Sequence, residues 1–124
     1  LEDAITKGYQ RILVLDDDVV PHQSIKSLFA QGMREAPEDW KIILLGAFQD
    51  VWEGYVTRYS EHLYQSNGTN EGSFAMALDS SVFVPLLHHA KKFDVAFDLG
   101  ALHRVQYKYK NKCFVFQPNI FRNS

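Results

Sequence analysis

Short apolar runs recur along the chain, and the first two stop sharply at the residue that follows them. The first run ends at Leu15, directly before Asp16, and the second ends at Leu45, directly before Gly46. Uninterrupted runs of this length are typical of strands buried on both faces, as in parallel sheets. Four strands are predicted in this way, over residues 11–15, 40–45, 73–78 and 113–116.

Segments with helical composition or spacing lie between these runs. Residues 1–9 end near Gly8, which occupies the place of a helix C-cap, and residues 22–34 carry apolar side chains on one helical face. Asp79 or Ser80 is placed to N-cap a third helix that reaches about Lys92, and a fourth ends near Lys110. Alternating strands and helices predict an α/β fold with a mixed, mostly parallel sheet flanked by helices, of the Rossmann-like type.

Composition narrows the class of protein without deciding its function. A chain of 124 residues with a net charge of −2 predicts a single domain and carries no basic cluster of the kind that binds nucleic acid. No apolar run is long enough to span a bilayer. Cys113 is the only cysteine, so it cannot form an intrachain disulfide, and its place in an apolar run favours a small buried hydrophobe.

Three carboxylates, Asp16, Asp17 and Asp18, directly follow the first predicted strand. Ligands of open α/β sheets bind beyond the carboxyl ends of strands, and adjacent carboxylates are best tolerated when they are solvated or hold a cation. In an extended segment Asp16 and Asp18 point to the same side, so they can chelate one ion together. The alternative is a strand-end turn in which Asp18 caps the next helix. His22 either reaches such an ion or lies in the first helical turn.

The segment Ile12–Val19 resembles the strand and Asp-x-Asp motif of the GT-A nucleotide-sugar glycosyltransferases. It is most similar to glycosyltransferase family 25, typified by lipopolysaccharide and collagen galactosyltransferases, in which the motif usually reads Leu-Glu-Asp-Asp-Val. Further segments resemble that family in the same order, and the resemblance covers nearly the whole chain; they are Asp39–Gly46, Gly72–Leu78, Phe93–Asp98 and Cys113–Pro118.

Two departures from the family pattern accompany this resemblance. Asp16 stands where the family usually has Glu. The family places a nucleotide-binding βαβ unit before the acidic strand, whereas residues 1–9 leave room only for a short helix. The expectation is therefore that residues 1–124 form the catalytic, C-terminal half of a GT-A-like domain, incomplete at its N-terminus.

The resemblance implies transfer of a hexose such as galactose, with inversion, from a nucleotide sugar (UDP-hexose above all) to a glycan or hydroxyl acceptor. Asp16 and Asp18 would hold Mn²⁺ or Mg²⁺ against the donor diphosphate, and Asp17 and Gly46 would lie at the substrate. The location would be the cytoplasm, including the membrane periphery, in a bacterium, or the lumen of the ER or Golgi in a eukaryote. The alternatives are a non-catalytic sugar-binding or scaffold domain and another divalent-metal-dependent, phosphate-handling enzyme.

Asp98 is the favoured candidate for the general base that deprotonates the acceptor hydroxyl. On a helix it shares a face with Leu102 and Val105, and a carboxylate on an apolar face is costly unless it has a partner. Asp94 is more simply an N-cap, but it is the alternative base. Asp98 is exposed instead if the helical phase differs.

Aromatic residues follow Gly46 in a segment expected at the same sheet edge as the acidic triplet: Phe48, Trp52 and Tyr55. Because sugars stack their C–H faces on aromatic rings, these side chains are candidates for binding the donor or acceptor sugar. Packing as a local lid or core is the equally weighted alternative.

Overall fold

The computed structural model describes residues 1–46, 57–66, 74–92 and 101–123. The helices are Glu2–Lys7 (α1), Ile25–Glu35 (α2), Phe83–Lys92 (α3) and His103–Lys108 (α4). The strands are Arg11–Leu15 (β1), Val19–Pro21 (β2), Ile42–Leu44 (β3), Thr57–Arg58 (β4), Leu63–Gln65 (β5), Ala75–Asp79 (β6), Cys113–Phe116 (β7) and Phe121–Asn123 (β8). No helix in these ranges has the length and apolar content needed to cross a bilayer.

Six strands form one mixed sheet in the order β1-β6-β3-β7-β5-β4, and β2 pairs with β8 in a separate two-stranded ribbon. The predicted α/β class with flanking helices is confirmed. The prediction of a mostly parallel sheet is wrong, because β3–β7 is the only parallel pair among the described strands. Strand β6 lies between β1 and β3 and runs antiparallel to both, and β5 lies between β7 and β4 and runs antiparallel to both.

Strand β1 is not buried on both faces, which corrects the expectation from its apolar sequence. It is the edge strand of the sheet, with exposed fractions of 47% for Leu13 and 43% for Leu15. Ile12 and Val14 point the other way and pack against the core. The inner strands β3 and β7 are buried at every position, as predicted.

The core lies on both faces of the sheet, and the strand alternation divides it. Ile42 and Leu44 of β3 join the cluster that includes residues of α1 and α3, whereas Ile43 joins the cluster on the face covered by α2. The predicted apolar face of α2 is confirmed, since these side chains pack against the second cluster: Ile25, Leu28, Phe29 and Met33.

Two local predictions about helix ends are confirmed. Gly8 ends α1 in the left-handed conformation at φ 72°, where glycine has no steric penalty. The Asp79 side chain accepts the Ser81 N–H at 3.1 Å and caps the 3₁₀ turn Ser80–Val82, which leads directly into α3. Cys113 is fully buried and burial raises the pKa of its thiol to about 12, as expected for a packed rather than a reactive cysteine.

Candidate functional site

The carboxyl ends of three strands meet at one end of the sheet. Because β1 and β3 both run antiparallel to β6, they point in the same direction, and β7 is parallel to β3. Asp16 extends the ladder by donating its backbone N–H to the Phe74 carbonyl at 2.8 Å. The acidic triplet and Gly46 therefore lie at the same end of the sheet, as the sequence predicted.

The two-stranded ribbon holds the C-terminal end of the acidic triplet. Strand β2 begins at Val19, directly after the triplet, and Val19 is opposite Asn123 of β8. The Leu45 carbonyl accepts hydrogen bonds from Ile120 N–H at 2.9 Å and Phe121 N–H at 3.2 Å. The ribbon is thus docked on the end of β3, and the triplet spans the gap between the ribbon and β1.

Gly46 is buried where β3 meets the ribbon. A Cβ at this position would lie 2.3 Å from the Phe121 carbonyl oxygen and 2.5 Å from the Phe74 ring. The structure therefore gives Gly46 a packing role, since only a residue without a side chain lets β8 approach this closely. Its contact with a substrate stays a prediction.

The three carboxylates of the triplet are exposed. Asp17 and Asp18 form a turn, so strand alternation does not extend beyond Asp16 and cannot by itself place Asp16 and Asp18 on one side. Asp18 does not cap the next helix, because strand β2 intervenes and α2 has Ser24 as its N-cap residue.

In the part of the chain that the structure describes, the carboxylates of the triplet are free of ion pairs but do not converge. Carboxylates are hard oxygen ligands, and within the described ranges none of the three takes part in an ion pair. They are not among the groups of three ligands whose atoms lie within 4.8 Å of one another in that part of the chain. Binding of Mg²⁺ or Mn²⁺ by the triplet therefore stays a prediction.

A pocket of about 290 Å³ lies in the ribbon, lined by residues 20–22 of the β2 end and 119–122 of the β8 end, and none of the three triplet carboxylates lines it. Arg122 brings an exposed positive charge to its wall. His22 does not begin a helix; its Nδ1 accepts the Ser24 N–H at 2.9 Å. Its reach to a metal stays a prediction. The pocket lining combines the cationic side chain of Arg122 with apolar residues of the ribbon.

Several predicted site residues lie outside the described part of the chain: Phe48, Trp52, Tyr55, Asp94 and Asp98. The two residues on which the case for Asp98 depends are both buried, since Leu102 is 0% and Val105 is 2% exposed. The apolar face predicted for that helix is therefore confirmed at these positions, and the role of Asp98 stays a prediction.

A second cluster, which the sequence pattern did not reveal, is formed by Glu35, Glu61 and His62. Each offers a ligand atom, and these atoms lie within 4.8 Å of one another. Glu35 Oε2 lies 2.5 Å from His62 Nδ1, although the two residues are 27 positions apart. This separation explains why the sequence pattern did not reveal the cluster, because only Glu61 and His62 are adjacent in the sequence.

Glu35 is the most heavily hydrogen-bonded carboxylate of this cluster. Its Oε1 accepts the His62 backbone N–H at 2.8 Å and also the Ser60 hydroxyl. Burial alone would raise the pKa of Glu35, but the hydrogen bonds from Ser60 and His62 outweigh burial and hold the pKa below its usual value. Glu35 is therefore a carboxylate held in place by hydrogen bonds, with a pKa that favours its ionised form.

Comparison with known proteins assigns no family. No protein-family model and no curated protein matches the chain. The interpretation of its function therefore rests on the geometry of the two sites and on the motifs in the sequence.

Proposed function

We propose that this chain is the catalytic half of a metal-dependent GT-A glycosyltransferase similar to family 25, which transfers a hexose from a nucleotide sugar to a glycan or hydroxyl acceptor. The observation that carries the proposal is the position of the acidic triplet. Three exposed carboxylates follow β1 at the end of the sheet where β3 and β7 also end. This is the edge at which α/β sheets bind their ligands.

The acidic triplet is assigned to a cation that would bind the donor diphosphate. Asp16 and Asp18 would hold this cation, with Asp17 in a supporting position. A cation held there would neutralise the charge that develops on the departing nucleoside diphosphate.

Deprotonation of the acceptor hydroxyl is assigned to a carboxylate in the segment that follows α3 in the sequence. Asp98, or in its place Asp94, would accept the proton of the attacking hydroxyl while the sugar–phosphate bond breaks. The aromatic residues Phe48, Trp52 and Tyr55 are assigned to the sugar rings. These assignments follow from the motifs in the sequence.

Nucleotide binding with and without Mn²⁺ tests the proposal. Wild-type protein is expected to bind UDP more tightly with Mn²⁺ than with EDTA, and Asp18→Asn is expected to remove that difference with little change in thermal stability. Asp3→Asn is the matched control, because Asp3 is an exposed carboxylate in α1 paired only with Lys7 among the described residues. If Mn²⁺ changes the binding of no nucleoside diphosphate, the proposal is wrong.

The transfer step needs a separate measurement. Asp98→Asn is expected to keep Mn²⁺-dependent UDP binding and to lose hexose transfer from UDP-hexose to an acceptor. If Asp98→Asn unfolds the domain, the residue is structural and Asp94 becomes the candidate base. Mn²⁺-dependent UDP binding in a wild-type protein that hydrolyses and transfers nothing would favour a non-catalytic sugar-binding domain.

A further inference from the structure

We propose that Glu35, Glu61 and His62 form a binding site for a divalent cation of the zinc class, separate from the acidic triplet. Within the described ranges, this is the group of three His, Cys, Asp or Glu side chains whose ligand atoms converge within 4.8 Å. One imidazole nitrogen and two carboxylates form a mixed nitrogen and oxygen ligand set, which suits Zn²⁺ better than the all-oxygen set preferred by Mg²⁺.

Glu35 is already oriented for such a role. Its Oε1 is held by the His62 backbone N–H and by the Ser60 hydroxyl, which leaves Oε2 directed at the His62 ring. Outer hydrogen bonds of this kind fix the orientation of metal-binding carboxylates. The side chains of Glu35 and His62 are 22% and 13% exposed, so they are mostly buried but still reached by solvent.

The ion would lie between two atoms that are now joined by a hydrogen bond. Glu35 Oε2 and His62 Nδ1 are 2.5 Å apart, and a metal at Nδ1 would bind the imidazole tautomer that carries its hydrogen on Nε2. Zinc bonds of about 2.0–2.2 Å in tetrahedral geometry separate two ligand atoms by roughly 3.3 Å, so the pair must open by somewhat less than 1 Å. Rotation of the two side chains supplies that movement.

The turn between β4 and β5 brings Glu61 to the same point. The Arg58 guanidinium donates to the carbonyls of Ser60 at 3.1 Å and Glu61 at 2.7 Å, and so holds the turn through its backbone. The Glu61 carboxylate is exposed. Two carboxylates and a neutral imidazole carry a charge of −2, which balances one divalent cation. Three ligands also leave the fourth position of a tetrahedral site for water.

The cluster is distant from the acidic triplet although both lie at the same end of the sheet. The His62 carbonyl accepts the Gln117 N–H at 3.0 Å beside the end of β7, whereas Asp16 follows β1. Four strand spacings separate β1 from β5, or about 19 Å. A bound ion would join the end of α2 to the β4–β5 turn, and it neither requires nor replaces the proposed donor site.

Zinc titration of the metal-free protein tests this inference. Protein dialysed against EDTA and then freed of chelator is titrated with Zn²⁺ by calorimetry and with Co²⁺ by visible absorption. All titrations use Asp18→Asn as the background, which removes one of the two carboxylates assigned to the cation of the triplet. Glu61→Gln removes an exposed ligand with little risk to the fold, and Glu38→Gln is the matched control because Glu38 is an exposed glutamate outside the cluster.

The background protein and Glu38→Gln are expected to bind one equivalent of Zn²⁺ and to give the intense Co²⁺ absorption of a four-coordinate site. Glu61→Gln is expected to bind at least about tenfold more weakly, since even outer partners of a metal site contribute that much. Unchanged affinity in Glu61→Gln, or no zinc binding by the background protein, would overturn the inference. Neither outcome bears on Mn²⁺-dependent nucleotide binding, which is measured separately.

Discussion

Replacing Gly46 with alanine tests how the ribbon is held against the sheet. The added Cβ would lie 2.3 Å from the Phe121 carbonyl oxygen and 2.5 Å from the Phe74 ring. The ring can shift, but the carbonyl belongs to a backbone that is hydrogen-bonded to Leu45 through Ile120 and Phe121. The alanine therefore forces β8 away from β3.

The expected cost of Gly46→Ala combines overpacking with weakened hydrogen bonds. Overpacking a well-filled site costs about 1–3 kcal/mol, and a lost backbone hydrogen bond about 1 kcal/mol. The free energy of unfolding should fall by about 2–4 kcal/mol, and the melting temperature by roughly 8–16 °C at about 4 °C per kcal/mol. Thermal and urea unfolding followed by circular dichroism measure both quantities.

Gly8→Ala is the matched control for this change. Gly8 has φ +72° and no atom within 4 Å of an added Cβ, so alanine there meets backbone strain alone, at about 1 kcal/mol. Gly46 does not have a positive φ, so its alanine variant meets the clash alone. If Gly46→Ala melts no lower than Gly8→Ala, the ribbon is not held by this close approach and the packing role of Gly46 is wrong.

Two further predictions concern titratable groups. The pKa of Glu35 is lowered, so its ionised carboxylate stabilises the folded state fully above its usual pKa of 4.5, and this stabilisation is lost as the pH falls through the lower value of the folded protein. Glu35→Gln in EDTA should therefore lower the free energy of unfolding by about 1–2 kcal/mol at pH 7 and by less in acid, as measured by urea unfolding. Equal losses at both pH values would contradict this role. The pKa of Cys113 is raised to about 12, so the native protein should not react with a thiol reagent at pH 8 and should react after urea is added.

Local signals in the sequence predicted local structure well. Strand β7 has the bounds that its apolar run predicted, Gly8 ends α1, and the apolar face of α2 packs as its spacing required. Each of these features depends on residues that are close together in the sequence, within one strand or within one or two helical turns. Such features can therefore be predicted from a short stretch of sequence.

Features that depend on strand partners could not be read in the same way. Residues 11–15 and 113–116 are both short apolar runs, yet β1 is an edge strand and β7 is buried on both faces. An apolar run indicates that a strand packs against other parts of the protein, but it does not indicate which strands pair with it. Strands β2 and β4 have only three and two residues, which is too short for any periodicity.

The acidic triplet and Gly46 lie at one end of the sheet because that placement depends on strand direction rather than on strand adjacency. The sequence predicted that the first two strands are parallel, and β6 lies between them. An antiparallel strand between them preserves their common direction, so Asp16 and Gly46 still reach the same end. Because the ribbon that follows the triplet is docked through Leu45, the geometry of the acidic turn is controlled from β3 as well as from β1. If the triplet binds the proposed cation, Gly46→Ala should change its Mn²⁺ affinity in a calorimetric titration, although Gly46 lies outside the three carboxylates.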